Sequence, residues 1–391
     1  MHKKRLLSFV LSIFIILNSF VLVKASELTD IEGVDIPYML YDLSADKTLI
    51  ANKAAQPIAI ASITKLMTVY LVYEALESGK IGLNTKYTYT QEELDLYLQG
   101  SDVPLERGAT LNVDELMHLL LIRSANSSAL ALSKVVAGNE KIFVNMMNEK
   151  SKALGMKNTH FINCHGLPIL STDEQNMSTI DDLNILVKSL LEKFPQITKI
   201  TSLQSYNIDR YGIKTVNTNT LLGLKTVDGL KTGTTTKAGR CLISTATEDM
   251  EGMEGKRRIV SYVFGATNDK ERTNISANLI NYGLDNYVYK RVLTGNETYK
   301  INLDTINFKY DKVLLKPTGS IEALLNTNET YNLKIEYKDV GVEAINKGDI
   351  LGTVKLLIDN KLIEQVNLVA NHDVERNNWF MRFWLKVKAK F

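Results

Sequence analysis

Disulfides cannot hold this 391-residue chain together, because its two cysteines, Cys164 and Cys241, allow one bridge at most. Metal-ligand spacing is missing as well. The five histidines (His2, His118, His160, His165, His372) form no H-x-x-x-H pair and the cysteines no C-x-x-C, so a zinc site is not expected. Nor is there a dominant charge: 46 Lys plus Arg against 44 Asp plus Glu leave +2, without the basic domain of a nucleic-acid binder. Tandem repeats and low-complexity tracts are absent too. What remains is 45% hydrophobic and 23% charged, the composition of a globular protein. The length allows two or three domains whose core needs no staples.

The near-neutral total hides charged ends. Lys3, Lys4, Arg5 and Lys24 put +4 on residues 1–25, around the apolar run Leu6 to Val23 and a small-residue site, Val23-Lys24-Ala25. This pattern predicts a secretory signal peptide over 1–25, with an uncleaved anchor as the other reading. Either way the body is exported. Without that segment, 42 basic and 44 acidic residues remain, a net of −2. The tail from Val374 to Phe391 sets Arg376, Arg382, Lys386, Lys388 and Lys390 against Glu375, a net of +4 that leaves the body acidic. Both tryptophans, Trp379 and Trp384, lie in this tail. At 100° per residue they share one arc with Phe380, Phe383 and Val387, while Arg382, Lys386 and Lys390 fall opposite and Lys388 interrupts the apolar side. Residues 373–391 are therefore expected to be an amphipathic helix anchoring the protein to an anionic membrane surface. A helix docked on its own domain is the competing reading.

Between the ends, Ile36 to Ile50 reads as a strand, a turn and a strand. Helices are predicted from Ser62 to about Glu77, Val113 to Ile122 with Asn112 and Glu115 as a capping box, Asn139 to Leu154, Thr179 to Phe194, and Asn274 to about Tyr289. Strand signals dominate from Gly229 to Gly265. The expected fold of residues 26–292 is α+β, an antiparallel sheet flanked by helices with a helical subdomain. Past Val292, period-2 alternation over Tyr331–Lys338 and a hairpin around Asp359-Asn360 predict a small all-β domain over 293–372.

Three short motifs carry chemistry. Ser62-Ile63-Thr64-Lys65 opens a helix, where i and i+3 share a face and Lys65 reaches the Ser62 hydroxyl. A lysine can serve as base to a serine if burial lowers its pKa, and Ile58-Ala59-Ile60-Ala61 and Leu66-Met67 supply apolar surroundings. Ser124-Ala125-Asn126 offers a hydroxyl for a proton relay and a carboxamide for a substrate amide. Lys231-Thr232-Gly233-Thr234, at a strand, offers a cation, two hydroxyls for a carboxylate and a glycine that lets a ligand backbone approach. Each has an ordinary structural alternative: a capping serine, a helix-end turn, a polar turn into a strand. Their order and spacing within one domain-sized segment are what is specific.

With these motifs, the chain resembles the low-molecular-weight penicillin-binding proteins, serine-type D-alanyl-D-alanine carboxypeptidases. Ala59 to Thr68, Leu121 to Asn126, Asn163-Cys164-His165-Gly166-Leu167, Asn217-Thr218-Asn219 and Asp228 to Gly233 all match, and the similarity covers nearly the whole chain. The resemblance implies a β-lactamase/penicillin-binding transpeptidase-like catalytic domain, no cofactor, peptidoglycan stem peptides as substrate and β-lactams as acylating inhibitors. It further implies attack by Ser62 on the D-Ala-D-Ala carbonyl with Lys65 as base, and proton relay through Ser124 with help from Lys231. Asn126 would hold the substrate amide, the Ser62 and Thr234 backbone N–H groups the oxyanion, and Thr232, Thr234 and Arg272 the terminal carboxylate, with Gly233 leaving room for the substrate backbone. The stretch Thr267 to Thr273 around Arg272 reads as a loop.

Two departures stand out. Ser127 replaces the acid that many members carry after Asn126, and Cys164 precedes His-Gly-Leu. His165 reads as a histidine in a hydrogen-bonded loop turn and His118 as a packed helix residue. A class A β-lactamase would share the three motifs but needs a deacylating glutamate in E-x-x-L-N; here Ile180-Asp181-Asp182-Leu183-Asn184 has isoleucine instead. A silent penicillin-binding sensor and a cross-link endopeptidase would keep the same residues. The site thus lies on an extracytoplasmic protein, peripheral to the membrane and near the wall.

Overall fold

The structure, a computed structural model, describes residues 31–389 apart from 32, 98 and 342, so the expected signal peptide lies outside the described residues. The described chain forms two compact units. One holds residues up to 250 and 254–287; the other holds 251–253 and everything from Val288 onward, so the division falls ahead of the expected 292/293.

The first unit is built on a five-stranded antiparallel sheet of β1 (Tyr38–Asp42), β2 (Lys47–Asn52), β3 (Val227–Thr235), β4 (Gly239–Asp249) and β5 (Lys256–Ala266), in the order β2-β1-β5-β4-β3. Side chains alternate across a strand, and here both faces are covered. Leu40, Leu242, Ile259 and Val263 pack with Ile275, Leu279 and Ile280 on one side. Met39, Tyr41, Cys241, Ile243, Tyr262 and Phe264 join the large helical core on the other. Burial on both faces is why these strands read as apolar runs rather than clean alternation.

The helical side contains α1 (Lys65–Glu77), α2 (Asn126–Ala137), α3 (Glu140–Leu154) and α4 (Ile180–Lys193), while α5 (Asp269–Asn286) covers the opposite face. Asn112 and Glu115 form the expected capping box, but the helix they open is α-helical only to His118 and continues as a π-helical turn over Leu119–Arg123. Helix α2 escaped the sequence reading. Every residue from Asn126 to Ser133 is buried, so it shows no polar stripe to reveal its period. Helix α5 starts earlier than expected because the Asn268 side chain caps it, accepting from Glu271 N at 2.9 Å; Arg272 is therefore helical rather than in a loop. It also ends earlier, since Tyr287–Leu293 is a strand paired with Ile321–Asn326.

The second unit centres on a five-stranded antiparallel sheet of β6 (Tyr299–Asn302), β7 (Lys312–Pro317), β8 (Tyr331–Tyr337), β9 (Ile350–Ile358) and β10 (Lys361–Ala370), in the order β6-β7-β10-β9-β8. The β9–β10 turn puts Asp359 and Asn360 at φ 47° and 63°, the two positive values that a tight two-residue hairpin requires. Beyond it, α6 spans Trp379–Lys388, capped by Asn378.

Candidate active site

Ser62 lies in a 3₁₀ turn, Ala61–Thr64, that passes into α1 at Lys65. With three residues per turn, positions i and i+3 eclipse, so Lys65 stands directly over Ser62. Its Nζ is 2.8 Å from Ser62 Oγ, 2.8 Å from Asn126 Oδ1 and 2.6 Å from the His165 carbonyl. Lys65 is fully buried, and that desolvation pulls its pKa down to about 7.

The Ser62 turn is held from three sides. Ala61 adopts φ 47°, an uncommon conformation for a residue with a side chain. Thr64 Oγ1 donates to Ala61 O at 2.7 Å and accepts from Asn176 Nδ2 at 2.8 Å. Gly166, at φ 89°, lies so close that a Cβ there would sit 1.9 Å from Ala61 O. Across the turn, a Cβ on Gly233 of β3 would meet Ile60 O at 3.2 Å.

Ser124 follows the π-helical turn in the left-handed region, φ 67°, and α2 begins two residues later at Asn126. The element between the serine and the asparagine is thus a junction of two helices, not a terminal turn. Lys231 Nζ reaches Ser124 Oγ at 2.8 Å and the Thr232 carbonyl at 2.9 Å. Its pKa is driven well below the usual lysine range, first by burial and then by the nearby cations Lys65 and Arg272. Thr232 Oγ1 is 2.7 Å from Thr218 Oγ1, whereas Thr234 is exposed at the end of β3. Because β3 is the last strand of its sheet, its outer edge has no partner strand among the described residues, the setting in which a sheet can take up an extended ligand.

The structure therefore gathers Ser62, Lys65, Ser124, Asn126 and Lys231 into one hydrogen-bonded group, with Thr232, Gly233 and Thr234 along the adjoining edge. Arg272 lies one strand back. It is buried, paired with Asp269 at 3.1 Å, and donates to the Cys241 carbonyl, the residue registered opposite Gly233.

Several supporting residues have no sequence signal. Asp102 is buried and brings a carboxylate to Ser127, accepting from Ser127 N at 2.8 Å and from its hydroxyl. It thereby caps α2, whose own N-cap, Ala125, has no side chain to do so. Burial pushes the Asp102 carboxyl up against the pull of these donors. Asn176 ties the Asn163 segment to Thr64, and Gln175 accepts from Thr235 at 2.7 Å. Nothing in the local pattern around these residues marks them, because the partners that tie them to the site are distant in sequence: Ser127 lies 25 positions from Asp102, Thr235 60 from Gln175 and Thr64 112 from Asn176. His165 sits in a hydrogen-bonded turn, its Nδ1 accepting from Leu167 N at 3.1 Å, and burial lowers its pKa to about 3. His118 packs on its helix, stacked on Tyr206 at 4.3 Å. Both cysteines are free and buried.

Residues 27–268 match the D-alanyl-D-alanine carboxypeptidase family, and residues 289–376 the C-terminal domain of penicillin-binding protein 5. This chain belongs to the D-alanyl-D-alanine carboxypeptidase family. It is 31% identical to the D-alanyl-D-alanine carboxypeptidase DacF of Bacillus subtilis, with 90% of each chain covered. To DacC of Escherichia coli it is 30% identical, over 90% of this chain and 88% of the other. Among solved structures, penicillin-binding protein 5 of Haemophilus influenzae matches 87% of this carboxypeptidase at 28% identity and a TM-score of 0.66, with 97% of that chain covered. Penicillin-binding protein D2 of Listeria monocytogenes, in an ampicillin-bound form, covers 64% of it at 31% identity and a TM-score of 0.56, with 97% of that chain covered. The protein is a serine-type D-Ala-D-Ala carboxypeptidase with a β-rich C-terminal domain. Nothing supports the β-lactamase reading, and Ile180, where the deacylating glutamate would stand, is wholly buried.

Proposed function

We propose that Ser62 is the acylated nucleophile and Lys65 its general base. The observation that carries this is a buried lysine, lowered to about 7, lying 2.8 Å from the serine hydroxyl. Neutral Lys65 takes the Ser62 proton as Oγ attacks the carbonyl of the penultimate D-alanine. The backbone N–H groups of Ser62 and Thr234 receive the oxyanion. As the C–N bond breaks, Ser124, in contact with Lys231, returns a proton to the departing amine; water then hydrolyses the acyl-enzyme. Asn126 holds the substrate amide, and Thr232, Thr234 and Arg272 its terminal carboxylate. Gly233 lets the peptide lie against β3. The same Ser62 opens β-lactams to a slowly released acyl-enzyme.

The substrate is the peptidoglycan stem pentapeptide, acted on outside the cytoplasmic membrane after export by residues 1–25. Helix α6 attaches the protein peripherally to anionic lipid. It exposes Trp379, Phe380, Phe383, Trp384 and Val387 together with Lys386 and Lys388, and leaves them without a covering element among the described residues. The division of labour follows the two units: catalysis up to 287, a β domain from 288, and the anchor beyond 373.

The test is to incubate the purified protein and its Ser62→Ala variant with a peptide ending in Lys-D-Ala-D-Ala. One D-alanine released per peptide by the parent, and none by the variant, is expected. Labelling of Ser62 by a fluorescent penicillin without release would point instead to a sensor or a cross-link-specific endopeptidase. Neither release nor labelling would overturn the assignment.

A further inference from the structure

Two arginines converge on the end of β3, and they differ in what they can reach. Arg272 is deep: its side chain is 6% exposed, Nη2 pairs with Asp269 Oδ1 at 3.1 Å, and Nη1 lies on the Cys241 carbonyl. Arg240 is shallow, with its side chain 41% exposed. It is registered opposite Thr234 on the neighbouring strand, and its Nη1 donates to Thr234 Oγ1 at 3.3 Å. Its Nε approaches the same Asp269 oxygen at 3.7 Å, so one carboxylate braces both guanidinium groups.

Local backbone geometry aims Arg240 there. The β4–β5 pairing slips between Arg240 and Leu242, a bulge of the kind that redirects a side chain. Next to it Gly239 adopts φ 65°, and a Cβ there would sit 2.9 Å from the Gly265 backbone. This close approach admits no other residue without movement, and it fixes where the Arg240 strand begins.

We infer that Arg240 is a specificity-determining residue that binds the C-terminal carboxylate of the substrate at the open rim of the site. The inference rests on the peptidase reading above and deepens it. Because Arg240 donates to the Thr234 oxygen, the Thr234 hydroxyl proton is left to point outward at an incoming acceptor. The guanidinium carries five donors in a planar fork matched to a carboxylate; one long hydrogen bond and one long ion pair leave most of them available. The alternatives supply less charge at this spot. Lys231 is buried, with its pKa driven well below the usual lysine range by desolvation, and Arg272 is 6% exposed with Asp269 at 3.1 Å, whereas Arg240 is 41% exposed and its contact to that carboxylate is looser, at 3.7 Å. Arg240 therefore places an exposed guanidinium directly on Thr234, where the carboxylate is to bind.

The decisive comparison is between an acid and its uncharged counterpart. Cleavage of a peptide ending in D-Ala-D-Ala is measured beside the same peptide with a C-terminal amide, and acylation by benzylpenicillin beside its methyl ester, in the parent, Arg240→Ala and Arg240→Lys. Loss of a charge-assisted contact should lower kcat/KM for the acid by about 10- to 100-fold in Arg240→Ala, mainly through KM, and leave the amide and ester unchanged. Arg240→Lys should recover part of the preference. If the alanine variant does not fold, Arg240→Gln provides the same neutral comparison. An acid-to-amide ratio equal to that of the parent overturns the inference. A parent that releases no D-alanine but is acylated defeats the peptidase reading alone, since the acid-to-ester ratio still decides the role of Arg240. A parent that is neither active nor acylated defeats both.

Discussion

In the first unit Lys65 and Lys231 are buried among protein oxygens; in the terminal helix Lys386 and Lys388 stand exposed beside Trp379 and Trp384. The same side chain is thereby put to opposite uses. Desolvation lowers the pKa of both site lysines, which is what the proposed roles of base and proton-relay partner require of them. The tail lysines stand in water beside apolar rings, the arrangement behind the proposed contact with an anionic surface. A lysine's chemistry in this protein follows from its surroundings, and each region has variants that should break the contrast.

The largest effect is expected from Lys65→Met. Without a base next to Ser62, acylation by benzylpenicillin in a stopped-flow assay should slow by about a thousandfold. Stability should move the other way. The folded pKa of Lys65 is depressed to about 7 while the unfolded value stays near 10.4. Below pH 7 both states are protonated and the burial penalty is fully present, of order 5 kcal/mol; it shrinks as pH rises from 7 toward 10.4. Thermal unfolding at pH 7 should therefore show a higher Tm for the methionine variant, less so at pH 10. A lower Tm at pH 7 would mean that the hydrogen bonds to Asn126 and His165 outweigh desolvation.

Next comes Gly166→Ala. A methyl group 1.9 Å from Ala61 O, on backbone at φ 89°, must push the Ser62 turn aside. Acylation should fall about 10- to 100-fold, with a loss of about 2 kcal/mol in urea unfolding. Parent-like kinetics would show that the turn tolerates displacement. The parent's own acylation rate should then drop about tenfold per pH unit below 7, as protonation removes the neutral base. A flat profile from pH 5 to 8 would exclude Lys65 as the base.

The smallest effect on catalysis should come from the tail. Replacing Trp379 and Trp384 by alanine should leave D-alanine release unchanged and weaken sedimentation with vesicles containing anionic lipid by about 10-fold or more. Raising the salt should weaken the parent in the same way. Equal binding to neutral and anionic vesicles would remove the cations from the account.

Much of this was legible in the sequence because it is local. The Asn112–Glu115 capping box, the Asp359-Asn360 hairpin and the S-x-x-K spacing depend on neighbours within four positions, and the structure forms each of them. The start of α5 is also local, in Asn268, but its capping pattern lies among turn-forming residues and has the composition of a loop. Helix α2 was hidden because burial on all sides erases the periodicity on which recognition depends.

By itself, the sequence determined which groups were present, their order, and the family to which they belong. Only the tertiary structure decided what those groups can do. It carries Lys231 across 107 positions to Ser124, Asn126 across 61 to Lys65, and Asp102 across 25 to the start of α2. It also removes water from around two lysines. Desolvation and long-range contact belong to the packed chain, and no window of the sequence contains them.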